Sequence, residues 1–367
     1  MGGSSAAAVS PLGCLHAQSL NRCERMLTRL AVVFTMFALV TGCASAPPLA
    51  FRDRTVNLVW PLPPERPRIR YLRDIESPNQ VLPEKGRAQE FFEFFTGESG
   101  GEGEFVIPYG VAGDGGSVVF VADPGAHLVY RLDLGTRDVT PISQAGDVSL
   151  VSPVAVAIDG EGHLYVSDSV LAKVFKFTNK GKFLAKLEGG FERPAGIAVN
   201  SRGEKFVVDV LAHKLKVFDR NDRLTGDFPP AGEGGALNLP SNVAIDRNDN
   251  VYLTDSMNFT VKVFDRNGKF LRKVGQIGDA PGSFARPKGV AVDSVGHIYV
   301  VDATHNNFQI FSPEGRLLLY VGQLGEGPGE FSLPSGIYID KQDRIFVSDT
   351  YNRRVQMFQF LKEGDIP

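Results

Sequence analysis

Between Pro108 and Phe360 the chain writes one pattern six times, and that periodicity leaves few folds open to it. Each copy opens with a proline and a short apolar strand that ends in an acid or an amide. A Gly, Asp or Asn turn follows, then a second strand ending in Asp, a short loop, and a third strand ending in an aromatic residue. The copies that begin at Pro240, Pro287 and Pro334 read PSNVAIDRNDNVYLTDSMNFTVKVF, PKGVAVDSVGHIYVVDATHNNFQIF and PSGIYIDKQDRIFVSDTYNRRVQMF. With Pro108, Pro153 and Pro194 they give six starts spaced 41 to 47 residues apart.

Valine, isoleucine, tyrosine and phenylalanine dominate the strand positions, and the turns between them carry many of the 40 glycines and 23 prolines. A unit of this size cannot cover both faces of its own sheet, so each must stack on its neighbours. Six such units closing on themselves predict an all-β, six-bladed β-propeller with a central channel. Ring closure has a separate signal. Residues 68–75 alternate polar and apolar side chains, as residues 269–274 do, yet they precede the first repeat. The sixth repeat stops at Phe360 without a fourth strand. Pairing the early segment with the last blade would supply that strand and remove an open sheet edge. The propeller is therefore assigned to residues 67–367.

The first 66 residues read differently. From Met26 a single arginine precedes an apolar run over residues 30–40, and Thr41-Gly42-Cys43 ends it. Such a run is short for a membrane-spanning helix and suits a signal peptide. Residues 1–42 are assigned to this leader, with Met26 as the alternative start. Residues 39–43 (LVTGC) resemble the bacterial lipobox, which implies lipidation at Cys43 and, with Ala44 next, an outer-membrane lipoprotein facing the periplasm or the surface. Removing residues 1–42 takes Arg22, Arg25, Arg29 and Glu24 with it and changes the net charge from −3 to −5. Neither value suits a nucleic-acid binder. All three cysteines lie at or before Cys43, so the repeats hold no disulfide or thiolate site. Residues 43–66, rich in proline, are expected to form a spacer, with Trp60 resting on the propeller edge. Residues 91–95 (FFEFF) are expected to cap the base.

The repeats resemble the NHL family, whose pattern is proline, a small residue, an apolar run to Asp, Tyr-Val-x-Asp, and then Asn or His before the third strand. The resemblance covers residues 108–360 and implies the fold rather than an activity. In that fold the second-to-third-strand loops and the blade-to-blade loops share the rim used for binding. Asp123, Asp168, Asp209, Asp255, Asp302 and Asp349 recur at every second-strand end, as expected of turn caps. His127, His213 and His305 fall in loops of alternate blades, which raises a zinc site, but those loops sit far from the axis, so loop packing is the expectation. Residues 208–218 look like a zinc-ligand loop of peptidylamidoglycolate lyases. The further histidines such enzymes hold at innermost-strand starts are replaced here by Tyr109-Gly110, Ser241-Asn242, Lys288-Gly289 and their equivalents. Gluconolactonase-like hydrolases would place a metal ligand at Asn242, but no acidic partners accompany it, and a turn role is expected. The blade-to-blade loops over residues 97–104, 278–282 and 325–330 are acidic and glycine-rich, suited to turns or to a cationic partner. Function is therefore sought where the copies differ: Tyr109, His127, His213, Asn242, Lys288, His305 and Arg353. The expectation is a non-catalytic rim for a protein or peptide partner, with no cofactor and a bilayer held through the acyl anchor. A metal-dependent hydrolase or lyase at the channel mouth is the alternative.

Overall fold

Every repeat folds into one antiparallel sheet in the computed structural model of the protein, which describes residues 2–3, 46–83 and 103–362. Blade 1 comprises Gly110–Gly113, Val118–Asp123, Leu128–Asp133 and Asp138–Ile142. The inner strands of the next five are Pro153–Ile158, Pro194–Val199, Pro240–Ile245, Pro287–Val292 and Ile337–Ile339. Successive inner strands lie side by side, and Ile337–Ile339 returns to Gly110–Gly113, so the ring closes as a six-bladed β-propeller.

Radial position explains the sequence of each strand. Second strands such as Val251–Asp255 and Ile298–Asp302 are buried at all five residues, because neighbouring blades cover both faces. Outer strands such as Phe270–Val274 and Leu317–Val321 alternate covered and exposed residues, since they stand at the circumference. The core accordingly divides into six apolar clusters, one between each pair of adjacent blades.

Ile69–Ile75 pairs antiparallel with Arg354–Phe360, from Ile69 opposite Phe360 to Ile75 opposite Val355, and supplies the missing fourth strand of blade 6. The spacer expectation needs correction over its described part. Val59–Trp60 adds a fifth strand outside Ile69–Ile75, and the N–H of Leu49 donates to the carbonyl of Leu134 at 2.8 Å. The described residues from Pro47 onward belong to the wheel. The physical reason is apolar burial: Leu58 and Trp60 pack on the cluster of Tyr71, Phe308, Phe331 and Phe358, with the Trp60 and Phe358 ring centres 5.8 Å apart. Apolar surface leaving water stabilises by roughly 25 cal/mol per Å², so even these half-buried side chains favour the docked segment. Cys43 and residues 91–95 lie outside the described residues.

Two backbone details at the starts of the inner strands shape the channel mouth. A Cβ at Gly110, Gly196, Gly289 or Gly336 would come within 2.8 Å of the next blade's backbone, so neighbouring strands can approach closely only over glycine. Blade 4 carries Asn242 at that position. The strand registers also slip between Pro240 and Asn242 and between Pro287 and Val290. Irregularities of this kind re-aim side chains, here beside Asn242 and Lys288.

Candidate functional site

The recurring aspartates are clips that hold the rim in shape. All six are fully buried. Asp123 accepts from the backbone N–H groups of Val106 and Ile107 at 2.8 and 2.9 Å, and from those of Gly125 and Ala126 in its own loop. Asp168 and Asp302 repeat this double grip. Each carboxylate ties the incoming blade-to-blade loop to the loop after the second strand, the capping role expected from the repeat. Around Asp349 burial pushes the carboxyl pKa up, and this outweighs the opposing contacts with the Ser332 N–H, Asn352 and Arg354.

Four residues beyond each clip the backbone turns left-handed: His127, Ala172, His213, Phe259, Asn306 and Arg353 have φ between 52° and 57°. This alignment corrects the grouping of the three histidines, because Asn306, not His305, is the blade 5 counterpart of His127 and His213. The side chains at this point staple the adjacent loop. Nδ1 of His127 hydrogen-bonds the carbonyl of Val151, Nδ1 of His213 accepts from the N–H of Leu239 at 3.1 Å, and Oδ1 of Asn306 accepts from the N–H of Leu333 at 2.9 Å. His305 lies with Nδ1 3.5 Å from its own clip, Asp302. Arg353 stands exposed on the rim of blade 6. Among the described residues no three His, Cys, Asp or Glu side chains come close enough to share a metal ion.

Tyr109, Asn242 and Lys288 do converge. They line a cavity of about 330 Å³ at the channel mouth, above a channel of about 210 Å³ walled by all six inner strands. Nζ of Lys288 donates to Oη of Tyr109 at 3.1 Å and lies 5.6 Å from the centre of its ring, bridging blades 5 and 1. Asn242 faces the cavity, and its amide makes no hydrogen bond among the described residues, so the turn role expected for it is not what the structure contains. It sits inside the strand Pro240–Ile245.

Two further residues of this cavity escaped the sequence reading. Arg193 and Arg286 immediately precede the opening prolines of blades 3 and 5, where other blades carry Ile107, Ser152, Leu239 and Leu333. Both line the mouth, both are exposed, and neither side chain has a partner among the described residues. Comparing residues just before each proline would have found them. No Asp or Glu lines this cavity among the described residues. The rim acids stand elsewhere and serve their own turns: Glu330 accepts from the N–H of Gly327 at 3.0 Å and from Gln323 at 2.9 Å. Hydrogen bonds from Gln323 and Gly327 therefore hold its carboxyl below the usual carboxylate value.

Around the mouth runs an apolar collar. Val170, Leu211, Met257 and Tyr351, each two residues past a clip, are 66, 48, 50 and 70% exposed, and Ile277 and Leu324 in the blade-to-blade loops are 67 and 69% exposed. Met257 also forms part of the cavity wall, with Val210 and Phe259. The site thus offers amide, phenol, ammonium and guanidinium donors inside an apolar border.

A family model described as a 6-bladed beta-propeller matches residues 237–303 and 294–363. The chain is 31% identical over 99 residues to the probable peptidyl-alpha-hydroxyglycine alpha-amidating lyase of Caenorhabditis elegans, an alignment spanning 25% of this chain and 28% of that protein. Among solved structures, a protein of unknown function from Bacteroides thetaiotaomicron superposes with a TM-score of 0.58 at 15% identity, covering 71% of this chain and 70% of its own. Virginiamycin B lyase from Staphylococcus aureus superposes with a TM-score of 0.52 at 14% identity, covering 70% and 96%. These likenesses agree with the six-bladed fold and, at such identities, carry the fold alone.

Proposed function

We propose that this protein is an envelope-anchored, non-catalytic propeller that docks a protein or peptide partner on its rim. The observation that carries the reading is the collar, in which six large apolar side chains stand exposed on the one face that also holds the mouth. Monomers rarely leave so much apolar surface clustered without a use for it. Attachment through a lipidated Cys43 would place this rim in the envelope, away from nucleic acid. A suitable test presents the full-length chain in detergent to an envelope extract and compares it with a Leu211→Ser, Met257→Ser, Tyr351→Ser variant. The wild type should retain a discrete partner that the triple variant loses, while Leu318→Ser on the outer strand of blade 5 keeps it. Equal retention by all three proteins would refute rim docking.

The similarity to an alpha-amidating lyase motivates a second reading, a metal-dependent lyase or hydrolase at the mouth. The side chains lining the mouth favour it less, since cations rather than carboxylates or imidazoles surround the cavity. Stoichiometric metal in the purified protein, lost on Asn242→Ala, would restore it.

A further inference from the structure

The mouth has a charge that calls for a specific complement, and the argument rests on the docking reading above. Three cationic side chains, Arg193, Arg286 and Lys288, line one concave space in a chain whose net charge is negative. Several buried cations elsewhere in the wheel are matched inside it: Lys176 and Lys205 meet Asp222, Lys262 meets Asp255, and Arg354 meets Asp349 and Asp74. Among the described residues the only polar partner of these three side chains is the phenol of Tyr109, which accepts from Lys288 and keeps its own O–H to donate. Asn242 adds an amide whose N–H donors meet no acceptor among the described residues. Guanidinium groups suit planar, two-oxygen acceptors, and an ammonium adds a point charge beside them. The upper wall, by contrast, is apolar, formed by Val210, Met257 and Phe259.

We infer that the mouth is a carboxylate receptor that takes the free C-terminus of a docked peptide, with its last apolar side chain against Met257 and Phe259. Capture of a chain terminus by convergent donors is an established mode of peptide recognition, and here the donors are side chains brought together from four blades. A terminal carboxylate suits this concave mouth because the chain ends at the donors, with no following residues to be led on past the channel of the inner strands. The same donors would accept a phosphate, so the probes must separate these anions.

The test uses the full-length protein in detergent and two pools of random hexapeptides, identical except that one ends in a free carboxylate and the other in an amide. Retained peptides are sequenced and their affinities measured at low and high salt. The inference expects the acid pool to bind at least about tenfold more tightly, since a hydrogen-bonded charge is worth about 1.5–3 kcal/mol. Retained sequences should end in apolar residues, and the preference should shrink with salt. Arg286→Ala with Lys288→Met should remove the preference, so that the acid and amide pools bind that variant equally. Equal binding of both pools, abolished by the collar variant, would overturn the carboxylate receptor and leave rim docking standing. Inorganic phosphate displacing the acid pool at lower concentration than acetate would overturn the carboxylate assignment in favour of a phosphorylated ligand. Absence of binding by either pool would overturn the inference, with the extract experiment above still deciding whether a larger protein docks.

Discussion

Two groups of cations in this wheel have opposite fates. Near the base, between blades 2 and 3, Lys205 is 1% exposed, and its ammonium pairs with Asp222 and donates to the carbonyls of Asp219 and Arg220 at 2.9 and 3.0 Å. Lys176 reaches the other oxygen of Asp222 at 2.8 Å, and Oη of Tyr165 donates to the same carboxylate at 3.0 Å. Every charge there has its complement inside the chain. At the mouth, Arg193, Arg286 and Lys288 have none. A buried ion must be paired or the fold pays heavily in stability, whereas an exposed one can wait for a partner outside. The first group holds the wheel together and the second is available for recognition.

The sharpest way to break this contrast is to unpair the base. Asp222 has φ of 65°, so Asp222→Asn keeps a residue that tolerates the left-handed turn and removes only the charge. Unfolding should cost about 3 kcal/mol less, because Lys205 is left buried with two carbonyls and no counter-ion. Chemical denaturation of both proteins at neutral pH measures this directly. Acid should reproduce part of the loss. Burial alone would raise the Asp222 carboxyl, but hydrogen bonds from Lys176 and Lys205 outweigh it and hold its pKa below the usual carboxylate value. With the folded pKa lowered, its contribution is complete above pH 3.8 and is lost as pH falls through the folded value. The stability gap between wild type and Asp222→Asn should therefore be constant above about pH 5 and narrow below it.

How much of this was legible beforehand follows the same division. The blades, their order and the closing strand were readable because burial on both faces forces a period, and period survives in sequence. Asp302 could be recognised as a cap because it recurs at five other equivalent points. Trp60 was expected on the propeller edge and is found there, but the segment around it, Leu58 included, was read as a spacer, since what holds it is Phe358, some three hundred residues away, and no local pattern encodes that contact. The mouth was half legible. Tyr109, Asn242 and Lys288 stood out against glycine and small residues, but Arg193 and Arg286 lie one position outside the repeat as it was framed. Their meeting in one cavity depends on ring geometry rather than on spacing. His305 was grouped with His127 and His213 by proximity along the chain, although counting from the clips gives Asn306 instead.

A milder test addresses those staples. At His213 the backbone has φ of 55°, which asparagine tolerates and valine does not. His213→Val should destabilise by about 1–2 kcal/mol through strain and the lost contact to the Leu239 N–H, while His213→Asn, as in blade 5, should change stability by less than about 0.5 kcal/mol. If His213 instead served a metal, the Asn variant would lose metal content with its stability intact.

The smallest expected effect on stability belongs to the mouth, and it sharpens the comparison most. Arg193 and Arg286 are exposed, and their side chains make no internal hydrogen bond among the described residues. Arg193→Ala and Arg286→Ala should each leave the unfolding free energy within about 0.5 kcal/mol of wild type. A side chain that supports the fold cannot be removed so cheaply, whereas one kept for an external ligand can. Thermal unfolding should show the complementary behaviour when a carboxylate-terminated peptide is present. Wild type should gain about 2.7 kcal/mol at a hundredfold excess over its dissociation constant, and the Arg286→Ala protein much less at the same concentration. A large loss of stability in the unliganded Arg286→Ala protein would place this arginine with Lys205 among the structural cations.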